Sequence, residues 1–399
     1  MLRPIVLALL ILGVGCHKNE KFCENANPND NCLEIDAPVD TTKSCVSSAE
    51  CAPQVCDLTG SKVCVQCTAA EPAACTGTTP ACVSNACEKC TSHAQCASAA
   101  CLPDGSCAAE TSVAYVDPGG TDNALCSKAM ACTKVAKALA TSRPYLKFTG
   151  TTNEQVALNN RNVTFLADPG AKLSDTINGI LLRIDGTSQV TIYDLEITGA
   201  SGASNPGISM QPGNTATLTM VRGRVTNNAG GGISISGGQF DITNSIVARN
   251  GSGSSVLGGI RVDGIVGAGT HRLEFNTVTA NLGPSSLDTG ISCGTVLTAL
   301  TFTNNIIFAN LVGGGGKQIG GSANCTTTYS DIGPDPTVGT GNINMDPMFV
   351  NAVQNNFHLA PGSPCKDAAD PAASLPTDID GDTRPQGSAR DMGADEVKP

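Results

Sequence analysis

The sequence predicts an all-β protein: a parallel β-helix, or solenoid, preceded by a small disulfide-rich repeat module. Three observations carry that expectation. The dipeptide Gly-Ile returns at Gly179, Gly207, Gly232, Gly259 and Gly290, at intervals of 28, 25, 27 and 31 residues. Four of these copies open a short strand of alternating apolar and polar residues. Twelve of the 20 cysteines fall into three groups of four between residues 45 and 107. Helical periodicity between the strands is absent, which excludes an α/β arrangement.

Composition narrows the function classes. The 399 residues include 44 Gly and no Trp, 3% are aromatic and 40% are apolar. That apolar content is too high for a wholly disordered chain, and the core must rest on Val, Ile, Leu and Ala. The formal charge of -11 comes without a Lys/Arg run, so nucleic acid, whose phosphates demand clustered cations, is excluded as a partner. Abundant cysteine without a metal-enzyme pattern points to an oxidising compartment.

Residues 1–15 read as a signal peptide: Arg3 supplies the positive end, and Pro4 to Gly15 is an apolar run too short to span a bilayer. The run ends Leu12-Gly13-Val14-Gly15-Cys16, which resembles a bacterial lipobox, although Gly13 stands where a branched aliphatic residue is usual. The resemblance implies that Cys16 becomes the acylated mature N-terminus and that the membrane is a partner through this lipid. His17, in place of Asp, implies delivery to the outer membrane or cell surface; without lipidation the chain is secreted. Acyl chains anchor by about 0.8 kcal/mol per buried methylene.

Residues 16–44 form a polar tether, with Cys23 and Cys32 placed for a local disulfide. Residues 45–107 hold three cysteine units: Cys45, Cys51, Cys56 and Cys64; then Cys67, Cys75, Cys82 and Cys87; then Cys90, Cys96, Cys101 and Cys107. Each unit has too few large apolar residues for a core. Two disulfides per unit, each stabilising by about 2–4 kcal/mol, take the place of one. Spacing leaves the connectivity open. Cys64-x2-Cys67 and Cys87-x2-Cys90 also fit a four-cysteine zinc ribbon, but each pair straddles a repeat boundary and export favours disulfides. The module resembles the cysteine-rich repeats of myxobacterial surface lipoproteins, a likeness of spacing that implies no activity.

Residues 113–365 carry the β-helix. The Gly-Ile strands run from Ile208 to Met210, Ile233 to Ile235, Ile260 to Val262 and Ile291 to Cys293. A second strand follows in each unit: Val190 to Ile192, Leu218 to Met220, Phe240 to Ile242, Leu273 to Phe275 and Leu300 to Phe302. Period two puts the apolar residues on one face. Repeats end at Asn228, Asn250, Asn281 and Asn310. An Asn at the same corner of successive coils can bond its amide to the next coil and tolerates the left-handed conformation of a sharp corner. One coil per repeat, around a dry core, is the expectation.

Both ends of this region resemble known motifs. Tyr115 to Asp122, then Cys126 to Cys132 and Thr133 to Leu139, is similar to the opening motif of right-handed parallel β-helix proteins, its last part a short amphipathic helix over the open end of the core. Cys126 and Cys132 are expected to pair, as are Cys293 and Cys325. Asn356-Phe-His-Leu-Ala-Pro-Gly-Ser-Pro-Cys365, continued by Thr377 to Gly387 and Asp391 to Glu396, resembles the closing motif of bacterial choice-of-anchor β-helix surface proteins, and residues 366–399 are expected to be the C-terminal closing segment. The resemblance implies a right-handed coil of the pectate-lyase-like superfamily. Cys365 departs from it, standing where Ala is usual, and is left over: free and buried, or paired differently.

That superfamily includes polysaccharide lyases and hydrolases, which need carboxylates, often with Ca²⁺, and an Arg or Lys base on the outer strand face. Counting from each Gly-Ile gives two outward stripes: Leu181, Ser209, Ser234, Arg261 and Ser292; and Arg183, Gln211, Ser236, Asp263 and Gly294. Arg261 and Asp263, joined by Arg183 and Asp185, are the weak catalytic candidates. An Arg two residues from an Asp on a strand face reads first as a surface ion pair, worth under about 1 kcal/mol. Absence of Trp weakens sugar stacking, with Tyr193 and Tyr329 as poor substitutes. Asp378, Asp380 and Asp382 resemble the start of an EF-hand loop but lack the distal Glu, where Ala389 stands. A structural calcium there is the one cofactor the sequence allows. The resemblance instead makes these acids structural, pairing Arg384 and Arg390 to close the last coil. His17, His93, His271 and His358 are scattered without a nucleophile pattern, and His358 is expected to serve packing. Gly313 to Gly316 before Lys317 reads as a coil corner. The expected role is a lipid-anchored, non-catalytic surface protein used for binding, adhesion or envelope structure, with a polysaccharide or a surface protein as ligand. The alternative is a polysaccharide lyase or glycoside hydrolase working on the outer face.

Overall fold

The structure, a computed structural model, describes residues 44–265, 269–283, 289–312, 317–334 and 338–398. The signal peptide, Cys16, the tether with Cys23 and Cys32, and the Gly313 to Gly316 run lie outside the described residues. Among those residues no helix is long and apolar enough to cross a membrane. The protein divides into two compact units.

The smaller unit holds the first two cysteine groups. Cys45 bonds Cys56, Cys51 bonds Cys64, Cys67 bonds Cys82 and Cys75 bonds Cys87. First pairs with third and second with fourth. Its buried centre is largely sulfur, with Cys45, Cys51, Cys56 and Cys64 packed together. The zinc-ribbon alternative fails here, because Cys64, Cys67, Cys87 and Cys90 are each bonded to a different partner.

The third cysteine group, Cys90–Cys101 and Cys96–Cys107, belongs to the larger unit. Its Ala100 and Ala108 pack against Val113, Tyr115 and Leu166 of the solenoid, and the Tyr115 hydroxyl donates to the Ser98 carbonyl at 2.6 Å.

The solenoid has three parallel faces. The first contains Val156–Asn159, Leu182–Asp185, the start of the long strand Ile208–Val221, the start of Ile233–Thr243, Ile260–Asp263, Ile291–Cys293 and Ile319–Gly321. The second begins with Val113–Val116, Tyr145–Phe148, Asn162–Ala167 and Gln189–Tyr193. It continues through the ends of the two long strands to His271–Glu274, Leu300–Thr303 and Cys325–Thr328. A third face runs from Thr151–Asn153 through Glu196–Thr198, Arg224–Thr226, Ile246–Ala248, Thr277–Thr279 and Ile306–Phe308 to Asp331–Gly333. One continuous core stacks like on like, for example Val225, Val247 and Val278. Cys293–Cys325 and Cys126–Cys132 are bonded, and Cys365 is free and buried.

Local chemistry explains the repeat. A Cβ on Gly259 would stand 2.5 Å from the Gly290 carbonyl and 3.0 Å from Asn281 Nδ2, so the glycine of Gly-Ile is required by the approach of the next coil. Asn228, Asn250, Asn281 and Asn310 form the corner ladder, each Nδ2 donating to the next side-chain oxygen at 2.8–2.9 Å and ending on Gln318. These asparagines are not themselves left-handed, contrary to the sequence expectation. The residue before each one is: Asn227, Arg249, Ala280 and Ala309. A second ladder, through Ser245, Asn276, Asn305 and Ser330, lines the corner between the second and third faces.

Both ends are covered. The helix Val135–Ala140 turns Val135 and Ala138 into the core, and Glu154 accepts the N–H groups of Val135 and Ala136. At the far end Ile332 and Ser330 bond to Ile343 and Asn342.

The C-terminal segment does not close the last coil. A hairpin of Phe349–Asn351 and Asn356–Leu359 and the loops after it lie along the outside of the third face. There Phe357, Ile379 and Ala394 cover Ile246 and Ala248, while Leu359, Met392 and Val397 cover Ile306 and Phe275. Phe275 is left-handed, at φ 54°; its strand ends at Glu274, and its ring belongs to this outer layer rather than to the solenoid core. Hydrogen bonds pin the strap across the coils, from Asn244 to Thr377, Arg249 to Ala352, Asp370 to Asn304 and Ala394 to Thr277.

Candidate functional site

Alternation along the first face turns two rows of side chains outward, although Ser209 and Ser292 are buried. Strand register aligns Arg183, Ser209, Ser234, Arg261 and Ser292. The row does not begin at Leu181, as counting from Gly179-Ile180 implies. Leu182 pairs with Ile208, and Leu181 is fully buried. Gly179-Ile180 therefore lies two residues ahead of the position that Gly-Ile takes in the later coils.

Arg183 Nε meets Asp185 at 2.9 Å, and Arg261 meets Asp263 at 2.8 Å. The two pairs lie three coils apart, about 14 Å at strand spacing, with Ser209 and Ser234 between them. The structure therefore does not bring the four candidates into one groove. Asp263 is the more constrained acid. Partial burial raises its pKa, but the N–H groups of Thr295 and Gly264 and the Arg261 guanidinium outweigh burial and hold it below the usual carboxylate range.

The second face carries charge that sequence reading missed. Arg272 grips Asp241 through two bonds of 2.7 and 2.8 Å and reaches Glu274 at 3.3 Å. Arg222 grips Asp194 at 2.6 and 2.8 Å. Asp194 and Asp241 lie 28 and 31 residues from their arginines in sequence, so no local spacing announces these two pairs. Thr164, Thr191 and Thr219 are in register on the same face, as are Thr301 and Thr326.

Carboxylates converge instead on the strap. Asp378, Asp380 and Asp382 offer oxygens within 4.8 Å of one another, but each already has partners. Buried Asp378 accepts the N–H groups of Asp380, Asp382 and Glu396. Burial raises its pKa against those donors. Asp382 pairs with Lys398 at 2.7 Å. Asp380 meets His358 Nε2 at 2.6 Å, so His358 is not a packing residue. The predicted pairing of these acids with Arg384 and Arg390 is also revised. Buried Arg384 pairs with Glu396 at 3.0 Å and lies over the Phe275 ring, and Arg390 donates to the Leu375 carbonyl.

No protein-family model matches this chain. No curated protein matches it. Among solved structures, the crystal structure of pectate lyase Pel9A is similar over 72% of this chain and 100% of its own, with 14% identity and a TM-score of 0.42. The strand pairing, not that likeness, establishes the solenoid.

Proposed function

We propose that this chain is a lipid-anchored, non-catalytic cell-surface protein whose β-helix serves binding, adhesion or envelope structure. One observation carries the reading: the charged residues of the first face are consumed in two separate ion pairs, Arg183–Asp185 and Arg261–Asp263, with neutral serines between them. A lyase site needs carboxylates converging on one cation or sugar acid. Rows of short polar side chains along the parallel faces suit an extended ligand or a rigid spacer. The eight disulfides of the described residues fit an oxidising exterior, and the anchor rests on Cys16 of the sequence motif.

The test is product formation by the full chain on acidic and neutral polysaccharides, with and without calcium, following ultraviolet absorbance of unsaturated products and reducing ends together. Silence from folded protein is expected. Calcium-dependent unsaturated product that disappears in Asp263→Asn would overturn the reading and establish a lyase. Acylation is tested separately by labelled palmitate, expected in the wild-type chain and lost in Cys16→Ala.

A further inference from the structure

We propose that His358, Asp380 and Asp395 form a binding site for a divalent metal of the zinc class on the outer face of the C-terminal strap. The three ligands come from separate segments: the hairpin strand Asn356–Leu359, the loop after Thr377, and the final turn. Their ligand atoms lie within 4.8 Å of one another. His358 Nε2 is 2.6 Å from Asp380 Oδ2 and 4.0 Å from Asp395 Oδ1, so small side-chain movements bring all three to about 2.0–2.2 Å from one ion.

Two further observations favour a cation there. Asn356 Oδ1 accepts both the backbone N–H of His358, at 3.2 Å, and its Nδ1, at 2.6 Å. The backbone donor fixes which amide atom is oxygen, and so Nδ1 carries the proton. Nε2 is then the atom turned to the carboxylates, with its ring held by an amide oxygen as metal-bound imidazoles are. Asp395 is more than nine-tenths buried. Its Oδ2 accepts the Leu359 N–H at 2.7 Å, while Oδ1 has no donor at hydrogen-bond distance among the described residues and faces His358.

One imidazole with two carboxylates suits a borderline ion such as Zn²⁺ better than Ca²⁺, which takes six to eight oxygens. The half-exposed His358 and Asp380 leave room for water as a fourth ligand. The hydrogen bond to Asp380 raises the His358 pKa, against burial and the Arg224 guanidinium, and Asp395 and Asp380 are the acids facing the ring. An imidazole nitrogen ligates metal only when it is unprotonated, so protons compete with zinc for His358 Nε2.

The experiment titrates zinc chloride into the oxidised full chain, by calorimetry in two buffers of different ionisation enthalpy, at pH 6 and 7.5. One equivalent is expected, binding more weakly at pH 6 and releasing protons. His358→Gln and Asp395→Asn should each lose at least about tenfold in affinity, and Asp382→Asn should change nothing. Cobalt substitution gives a readout independent of any variant: weak visible bands are expected, without intense near-ultraviolet sulfur charge transfer. The proposal is overturned by no saturable zinc binding, by unchanged affinity in His358→Gln, by a sulfur band, or by loss of binding in Asp382→Asn with His358→Gln unaffected.

Discussion

Asn250 and Asn281 are joined amide to amide across two coils, Asn250 Nδ2 donating to Asn281 Oδ1 at 2.9 Å with both side chains fully buried. The same Asn281 oxygen accepts the Asn250 backbone N–H at 3.0 Å, and its Nδ2 donates to the Val247 carbonyl at 2.9 Å. One side chain thus satisfies two backbone groups of the neighbouring coil where water cannot reach.

Removing it should cost accordingly. Asn281→Ala leaves the Asn250 donors and the Val247 carbonyl without partners, and each buried orphan costs about 1–3 kcal/mol. A loss of at least about 3 kcal/mol is expected in urea unfolding. Ala280→Gly, one residue earlier at φ 54°, is the control. It relieves a left-handed alanine and should be neutral or stabilising by up to about 1 kcal/mol.

The two solenoid disulfides should differ in worth. Cys293–Cys325 spans 32 residues and Cys126–Cys132 spans 6. Loop-closure entropy assigns about 4 kcal/mol to the first and about 2 kcal/mol to the second. Paired Cys→Ala variants compared by urea midpoint should reproduce that order. The reverse order would show that strain or residual structure, rather than loop length, governs them.

Arg384 holds the strap. Its guanidinium bonds Glu396 and the carbonyls of Asp391 and Gly393, and both charged side chains are buried. Arg384→Met strands the Glu396 carboxylate and should destabilise by about 3–5 kcal/mol. Early proteolytic cleavage within residues 346–398 is expected. Adding Glu396→Gln should recover part of the loss, which a purely steric role for Arg384 would not permit.

Asp331 predicts a pH dependence. Burial raises its pKa to about 6 from 3.8, against the Met345 N–H and the Cys365 thiol. A raised acid favours folding while protonated. Its contribution is complete below pH 3.8 and lost as pH climbs through about 6. Asp331→Asn keeps the Met345 acceptor and removes the charge. It should flatten the fall in stability over that window and add up to about 3 kcal/mol at pH 7.5. Asp391, also raised to about 6 by burial, uses both oxygens on the N–H groups of Asp367 and Val397. Asp391→Asn loses one acceptor and should gain less or destabilise.

The coils were legible because their demands are local. Gly-Ile marks where a strand opens against the next coil's carbonyl, and alternating Ile, Val and Leu mark which side faces inward. Asn at one corner marks the ladder. The third strand of each coil was not legible, because it turns a single apolar residue inward, such as Val225 or Val278, and one residue has no period. Yet Ile246-Val247-Ala248 and Ile306-Ile307-Phe308 are apolar on both sides, which is the signature of a strand covered from outside as well. The catalytic candidates could not be judged from spacing, since strand register decides which coil positions align, and Gly179-Ile180 sits two residues before its register position, which puts Arg183 in the row assigned to Leu181.

By itself, then, the sequence determined the solenoid and its cysteine staples, whose periodicities repeat within about 30 residues. Only the tertiary structure decided where the last 50 residues lie and what His358, Asp380, Arg384 and Asp331 touch. Those contacts join segments up to 133 residues apart, and they depend on shape and burial along the third face, which no local pattern of residues encodes.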